Sequence, residues 1–515
     1  MATLLLSMYK VLIDGVSVQS LIHAVLLTLA VIESWFLIRR VSRLPPGPRG
    51  LPIVGSLPWL AKDSHLVLMN WAKKYGNIFT VNFGSRKVIV LNELETIKEA
   101  FLKKSAQFAG RPDLPSLKAL LKRKGILSSD HGHGFSARRR FALQLLREMG
   151  IGQPKLEEMM QSEVEILVQA IGQHAAAGEP FEVTEMVNLA VANVIFMMVF
   201  QKRFDQDDKL FKELLRCVNR NAVLAAAAAA QNFLPFLQIP WLPVNKELAY
   251  NRAVIKNTIQ TWIQQSKDTY DPAVTRGFLD AMMHEKSRHE GDPEFSDEQL
   301  TIMVFDLLCA GYETTATSLR WALFFMLHCP DVQSRVQDEL DSLLEDDVTA
   351  TSYYHRRHSP YTQATLMEIN RRSTIVPLGL PRATTEDVSF NGYTIPKNTM
   401  VIANLWSVMM NEKYWPEPEE FRPERFLDEN GGLLRNKPDA FIPFSVGRRS
   451  CIGEAFVKTE LFVFFSTILR NFTFTPPEGE ELPPVKGKQG LTLTPPRYRL
   501  CATPRFSKRV VNASL

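Results

Sequence analysis

The chain has 515 residues, and its 60 basic and 55 acidic side chains give a formal net charge of +5 at pH 7. Because charges of both signs are mixed along the sequence, nucleic acid is excluded as the main partner. The five cysteines are odd in number and widely spaced, so the sequence shows neither a disulfide framework nor a zinc-finger spacing. At ~150 residues per domain, length alone would allow about three domains.

The first element in chain order is an apolar segment at residues 21–38, which three arginines follow within the next five positions. About 18 apolar residues just cross a bilayer as an upright helix. The arginines would place everything downstream in the cytoplasm. We therefore predict a membrane anchor at residues 1–43 and a proline-rich hinge that opens a folded body over residues 44–515. A cleaved signal peptide and a buried core helix are the alternatives, but no small-residue cleavage site follows the segment.

The body is predicted to be mainly helical with a small β region. Residues 78–92 carry β-branched and aromatic side chains on both sides of Gly84-Ser85, which predicts a strand pair joined by a turn. The unbroken alanines at 225–230 predict a helix, because alanine is the best helix former. An aromatic and proline-rich loop follows at 233–241, and Asn391-Gly392 predicts a second hairpin turn.

A long apolar helix is predicted to begin after Ser296, which forms a capping-box pattern with Gln299. Inside this helix lies the hexapeptide AGYETT at residues 310–315. A glycine, a carboxylate and two hydroxyls in one buried turn cost stability. Such a violation of a local rule is typical of a functional site. The alternative is a kinked helix in which threonine bonds back to a carbonyl.

A second helix carries Glu368 and Arg371, which share one face because they lie three positions apart. Taken alone, the pair could be an exposed ion pair worth ~0–1 kcal/mol. The segment FRPERF at residues 421–426 follows and adds Arg425 as a third charged residue.

Residues 444–453 read FSVGRRSCIG and are predicted to form a loop that presents one thiolate to a metal. Gly447 permits a tight turn, and Gly453 lets another group approach the backbone closely. An apolar-periodic helix follows Cys451, and its N-terminal amides and dipole favour the thiolate. Arg449 adds positive charge and a fork that suits a carboxylate. The alternative is a buried free cysteine that acts as a small hydrophobe.

This loop fills every fixed position of the cytochrome P-450 heme-binding pattern F-x-x-G-x-R-x-C-x-G. The 310–315 hexapeptide resembles that family's oxygen-binding groove, and the E-x-x-R motif stands between the two, as it does in the family. The surrounding sequence is similar to the microsomal family 2 enzymes. The resemblance covers roughly residues 44–503. It implies the cytochrome P-450 fold, as a single heme-thiolate catalytic domain behind an N-terminal transmembrane helix.

The resemblance also implies a set of heme-site residues. Cys451 would be the axial ligand of the iron. Thr314 would hydrogen-bond the dioxygen substrate, while Glu313 would feed protons from a water chain. The remaining residues implied to contact heme are Arg111, Phe135, Arg139, Arg382, Phe444, Gly447, Arg449 and Gly453. By the same resemblance, a buried triad of Glu368, Arg371 and Arg425 would hold the loop beneath the heme.

One position departs from the family pattern. Phe135 stands where W-x-x-x-R has its tryptophan, so the aromatic packing is kept and the indole N–H donor is lost. Arg139 matches the arginine of that pattern. Its neighbours Arg138 and Arg140 are candidates for a basic face that docks an acidic redox partner.

The function implied is that of a monooxygenase that inserts one oxygen atom from O₂ into a small lipophilic substrate, such as a steroid, a fatty acid or a xenobiotic. Electrons would come from NADPH through cytochrome P-450 reductase, with cytochrome b5 as a further candidate partner. The expected location is the endoplasmic reticulum membrane, with the catalytic domain facing the cytoplasm and the 233–241 loop touching lipid or packing as an ordinary loop. The alternatives are a steroid-specific hydroxylase, a heme-thiolate isomerase or dehydratase, and a heme-based sensor.

Overall fold

The computed structural model describes residues 44–148, 153–205, 207–344 and 351–506, together with His23. The predicted anchor at residues 21–38 lies outside these ranges except for that single position. Among the helices of the described ranges, none is both long and apolar enough to span a bilayer. The anchor at residues 1–43 therefore stays a prediction.

Helices make up most of the described chain, as the sequence predicted. In chain order they are α1 (Ser64–Tyr75), α2 (Leu94–Lys98), α3 (Pro115–Leu121), α4 (His133–Glu148), α5 (Pro154–Ala177), α6 (Thr184–Phe200), α7 (Lys209–Gln231), α8 (Pro243–Asp268), α9 (Phe278–Arg288), α10 (Asp297–His328), α11 (Pro330–Leu343), α12 (Pro360–Ser373), α13 (Leu405–Met409) and α14 (Glu454–Asn471). Helix α7 contains the alanine run, whose helical state is confirmed.

The strands are short. They are β1 (Ile78–Phe83), β2 (Arg86–Leu91), β3 (Arg382–Ala383), β4 (Val388–Phe390), β5 (Tyr393–Ile395), β6 (Met400–Ala403), β7 (Phe472–Thr475), β8 (Lys488–Gln489), β9 (Leu493–Thr494) and β10 (Cys501–Pro504). The largest sheet has the order β1-β2-β6-β3, and its first two strands are the antiparallel pair that the sequence predicted. Strand β6 runs parallel to β2.

The chain divides into two compact units by its internal contacts. Within the described residues, one unit contains Leu44, Pro45 and Ser389–Ile395, and the other contains the described parts of Pro46–Val388 and of the chain from Pro396 onward. In the smaller unit, Asn391 and Gly392 have φ values of 47° and 79°, as expected for an Asn-Gly hairpin turn. The larger unit contains all the helices from α1 to α14.

The core of the larger unit surrounds α10, which is buried on every side over its second half. Leu319, Ala322, Leu323, Phe324 and Met326 have no exposed surface. A helix that is apolar all round belongs in the interior of a large protein. It lies in one hydrophobic cluster with residues of α6 and α14. The two segments that the sequence analysis singled out, α10 and the loop before α14, therefore meet in the same core.

Two local predictions need correction. Ser296 does cap α10, since its hydroxyl accepts from the Gln299 backbone N–H at 3.5 Å. The side chain of Gln299 does not complete the capping box, because its carbonyl oxygen accepts from the buried Gly125 N–H at 2.9 Å. The helix after Cys451 begins two residues later than predicted, at Glu454 rather than directly after the cysteine.

Candidate active site

The loop before α14 depends on a close backbone approach at Gly447. This residue has φ +80°, and a Cβ built there would lie 1.8 Å from the carbonyl oxygen of Phe101. The loop is closed by the Cys451 N–H, which donates to the Phe444 carbonyl at 3.0 Å. A short 3₁₀ turn, Gly447–Arg449, lies between these two ends. The predicted tight turn at Gly447 is confirmed, and no side chain larger than hydrogen fits.

The Cys451 side chain keeps an exposed part, while protein atoms surround the rest of the thiol closely enough to desolvate it. Burial is the largest influence on its thiol and raises the pKa, whereas the backbone N–H groups of Gly453 and Glu454 lower it. The backbone N–H groups at the start of the helix therefore favour the thiolate, as the sequence predicted, but burial outweighs them. A metal cation would supply the missing stabilisation, because a coordinating thiol is deprotonated outright.

Four arginines from distant parts of the sequence converge around this loop. The arginine cluster consists of Arg111, Arg139, Arg382 and Arg449. Each member donates to neutral oxygens: Arg111 to Leu127 O (2.7 Å) and Pro381 O (2.6 Å), Arg139 to Ser450 O (2.8 Å), Arg382 to Ser445 Oγ (3.0 Å) and Val446 O (2.8 Å), and Arg449 to Ala109 O (2.8 Å), Ile126 O (3.0 Å) and Ser129 O (2.6 Å). Among the described residues, no carboxylate forms an ion pair with any of the four.

The cluster carries positive charge that the described protein groups neutralise only in part, because Asp306 acts on Arg111 and Asp130 acts on Arg449 without forming ion pairs with them. Burial is the main cause that lowers the pKa of each guanidinium, and repulsion from neighbouring members lowers it further for Arg111, Arg382 and Arg449. Arginine nevertheless stays protonated in proteins, so the repulsion is a cost to folding. Arg382 also has a buried Nη1 that finds no hydrogen-bond partner in the part of the chain that the structure describes. An anionic group with several acceptor oxygens would relieve both defects.

Two aromatic rings support this cluster. The Arg449 guanidinium lies 3.7 Å from the centroid of the Phe135 ring, and the Arg382 guanidinium lies 3.6 Å from that of Phe101. Cation–π contacts of this kind favour arginine over the faces of buried rings. Phe135 thus stacks on an arginine of the site. The sequence analysis did not identify Phe101 as part of the site. Its position shortly before Arg111 in the chain was the one available indication.

The acid–alcohol turn lies within an unbroken part of α10. The Thr314 hydroxyl donates to the Ala310 carbonyl at 2.6 Å, so the back-bonding of the alternative interpretation is present. Glu313 is buried, and its Oε1 accepts from Thr492 Oγ1 at 2.7 Å and from Thr317 Oγ1 at 3.2 Å. Burial raises the pKa of this carboxyl, and the two hydroxyls partly offset the effect. Helix propensity alone does not explain a buried acid whose hydroxyl partner comes from a loop some 180 residues downstream.

The charged triad forms as predicted. Glu368 and Arg371 make a two-pronged ion pair with both distances at 2.7 Å, and neither side chain has any exposed surface. Arg425 Nε lies 3.4 Å from Glu368 Oε1. The same oxygen accepts from the Arg422 backbone N–H at 3.0 Å. The exposed-pair alternative is therefore wrong.

The structure also corrects the predicted basic face. Arg138 is buried and pairs with Glu294, so it does not face solvent. Arg140 is exposed, and it borders a surface cleft together with Arg139, Arg147 and Arg448.

Comparison with known proteins identifies the family. Residues 45–502 match the sequence model described as Cytochrome P450. The chain is 37% identical to Cytochrome P450 2J2 of Homo sapiens over 473 residues, which cover 91% of this chain and 92% of the relative. It is 37% identical to Cytochrome P450 2J5 of Mus musculus over 496 residues (94% and 97%) and 36% identical to Cytochrome P450 18a1 of Drosophila melanogaster over 493 residues (92% and 90%). The chain belongs to the cytochrome P450 family.

This P450 is accordingly an oxidoreductase of the monooxygenase class, and its cofactor is heme iron. The residues around the cysteine loop fit that cofactor. One exposed sulfur stands at the tip of a glycine-shaped loop. The four arginines beside it have no ion-pair partner within the described ranges, and one buried N–H group of theirs is unpaired there, so they can receive two propionate carboxylates.

Proposed function

We propose that this P450 inserts one oxygen atom of O₂ into a small lipophilic substrate, such as a fatty acid, a steroid or a xenobiotic. NADPH would supply electrons through NADPH–cytochrome P450 reductase, with cytochrome b5 as a further candidate donor. The observation that carries the proposal is the buried Glu313 beside Thr314 in α10. A reductase-independent isomerase or a heme sensor has no use for an acid next to a hydroxyl relay. A steroid-specific hydroxylase would be a narrower form of the same function.

In this proposal the loop and the arginine cluster hold the cofactor. Cys451 is the iron ligand, and the bound heme then supplies the electron-rich thiolate-ligated iron at which O₂ is cleaved. Arg111, Arg139, Arg382 and Arg449 neutralise the propionates. Phe444 and Gly447 shape the loop, Gly453 leaves open space beside the Cys451 sulfur, and Phe135 orients Arg449 by stacking.

Glu313 and Thr314 handle protons. Because burial raises the pKa of Glu313, its carboxyl keeps a proton to higher pH than an exposed one would. Thr492 and Thr317 fix the orientation of that carboxyl by donating to Oε1. The Thr314 hydroxyl donates to Ala310, which leaves its oxygen lone pairs available to accept a bond from the substrate side. Rotation of the hydroxyl would then pass a proton onward.

The triad supports the site from a distance. Glu368, Arg371 and Arg425 fasten α12 to the segment before the cysteine loop, because Arg371 also donates to the carbonyls of Pro418 and Glu420. We expect this anchoring to keep the loop in register beneath the heme.

The partner and membrane assignments extend the same proposal. The cleft bordered by Arg139, Arg140, Arg147 and Arg448 would receive an acidic surface of the reductase. The endoplasmic reticulum membrane is the proposed location, with the body on the cytoplasmic side. In the loop at 233–241, Phe236 and Trp241 are 55% and 72% exposed, which favours lipid contact over a packed loop.

The test combines turnover with coupling. Purified protein, reductase, NADPH and a panel of fatty acids, steroids and aromatic compounds should give oxygenated products that depend on NADPH. Thr314→Ala should then consume NADPH while releasing peroxide in place of product. Thr301→Ala is the matched control, because Thr301 makes the same back-bond, to Asp297, at the exposed start of α10.

Unchanged coupling in Thr314→Ala would refute the proton role. Product formed from peroxides without NADPH would replace the monooxygenase proposal with the isomerase alternative. Heme-loaded protein that gives no product with any compound would support the sensor alternative instead.

A further inference from the structure

A short segment, residues 125–129, joins α10 to the arginine cluster. On the α10 side, Asp306 Oδ2 accepts from the backbone N–H groups of Ile126 at 2.6 Å and Leu127 at 3.0 Å. The Gln299 side chain adds a third bond, from the Gly125 N–H at 2.9 Å. One helix therefore holds three successive amides of this segment, which we call the bridging segment.

The opposite edge of the bridging segment contacts the arginine cluster. Arg449 donates to the carbonyls of Ile126 at 3.0 Å and Ser129 at 2.6 Å. Arg111 Nε donates to the Leu127 carbonyl at 2.7 Å. One peptide group, between Ile126 and Leu127, thus accepts from Arg449 and donates to Asp306. A peptide placed between a cation and an anion is polarised by both, so the two bonds strengthen each other.

The geometry around Asp306 leaves little freedom. Gly125 has φ +70°, and a Cβ built there would lie 2.4 Å from Asp306 Oδ2. Asp306 is buried, and its other carboxylate oxygen has no hydrogen-bond partner among the described residues. Burial raises the pKa of this carboxyl to about 7, while the amides of Leu127 and Ile126 and the charge of Arg111 pull it down. Burying an acid with one oxygen that lacks a hydrogen bond destabilises the folded state. The contacts of Asp306 with the bridging segment therefore need a functional explanation.

We propose that Asp306 is a positioning residue for the heme-propionate arginines. By fixing the bridging segment, it fixes the carbonyls that orient Arg111 and Arg449, although it touches neither cofactor nor substrate. This inference rests on the proposed propionate role of the arginine cluster. Without the Asp306 hydrogen bonds, the carbonyls of the bridging segment no longer hold the two guanidinium groups in a fixed orientation. The heme is then bound less tightly.

The test measures heme loss from the full chain to excess apomyoglobin, together with amide hydrogen exchange in the bridging segment. Asp306→Ala should lose heme about tenfold faster or more, because two charge-assisted bonds disappear. Asp306→Asn keeps an acceptor oxygen without the charge and should give an intermediate rate. Asp297→Ala is the control, since Asp297 lies on the same helix but pairs with surface Lys267 and Lys286. We expect this control to retain the wild-type rate of heme loss.

A double-mutant cycle separates positioning from general destabilisation. Arg449→Leu should accelerate heme loss, and adding Asp306→Asn should accelerate it little further, because both changes remove the same constraint. Multiplicative effects of the two changes would overturn the inference. If Arg449→Leu loses heme rapidly while the Asp306 variants behave as wild type, the inference fails and the propionate role stands. If Arg449→Leu also behaves as wild type, the propionate role itself fails.

Protein yield does not decide the outcome. Should Asp306→Ala not accumulate as folded protein, Asp306→Asn carries the test alone. Faster exchange in residues 125–129 together with faster heme loss supports the inference. Wild-type values for both measurements overturn it.

Discussion

The buried pair of Glu368 and Arg371 gives the sharpest stability prediction, because the chain contains an exposed counterpart with the same geometry. Glu213 and Arg216 are also three residues apart and also make two bonds, both at 2.7 Å. Their side chains are 32% and 51% exposed, whereas Glu368 and Arg371 are both 0% exposed. The two pairs therefore share their geometry and differ in burial and in the further contacts of Glu368 with Arg425 and the Arg422 N–H.

Replacing Glu368 by alanine leaves the Arg371 charge buried. Breaking a buried pair by removing one partner costs about 3–5 kcal/mol. Arg371 would still donate to the carbonyls of Met409 and Pro418, so we expect a value near the lower end, about 3 kcal/mol. Glu213→Ala, in the exposed pair, should cost ~0–1 kcal/mol.

The assay is urea unfolding of both variants beside wild type, followed by tryptophan fluorescence and by the heme absorption band. We expect a large drop in midpoint for Glu368→Ala, early loss of the heme band, and almost no change for Glu213→Ala. Glu368→Gln should fall between them, since it keeps one acceptor oxygen but not the charge. Equal midpoints for the two alanine variants would show that burial of this pair does not matter.

Two further predictions concern backbone strain and pH. Gly447→Ala should prevent stable heme loading, because its Cβ would collide with the Phe101 carbonyl. The control Gly431→Ala, at φ +78° with open space around it, should load heme normally. Equal heme loading of the two variants would refute the steric argument. Burial lowers the pKa of His65 to about 4. Between pH 6.5 and pH 4 the unfolded protein therefore takes up a proton at this residue that the folded protein does not. As a result, the free energy of unfolding falls as the pH drops through this window. In thermal unfolding followed at several pH values, His65→Phe should remove up to about 3 kcal/mol of that loss. A variant whose unfolding free energy depends on pH as the wild type's does would contradict this prediction.

The sequence predicted those parts of the site that are defined by local spacing. Gly447, Cys451 and the 310–315 turn could be placed because each belongs to a short pattern whose members are neighbours in the chain. Glu368 and Arg371 share a helix face for the same reason. Arg425 joined them only through its resemblance to a family motif, and the structure brings it to 3.4 Å from Glu368.

Contacts between distant segments could not be predicted in this way. Thr492 donates a hydrogen bond to Glu313, and the Gln299 side chain accepts one from Gly125 instead of completing the capping box. Nothing in either local sequence pattern indicates these partners. Asp306 gave one usable signal, a single acid inside the otherwise apolar run of residues 302–310. The predicted start of α14 was too early, because the spacing of apolar residues shows that a helix is present but does not define its first residue.

The central claim is that the Cys451 sulfur ligates the heme iron, and the absorption spectrum of the reduced carbon-monoxide complex tests it most directly. We expect the wild-type protein to show the long-wavelength band of a thiolate-ligated heme, and Cys451→Ala to lose that band. Cys217→Ala, at a buried thiol in α7, should keep it. A Cys451→Ala protein that retained the thiolate-type spectrum would mean that another residue binds the iron.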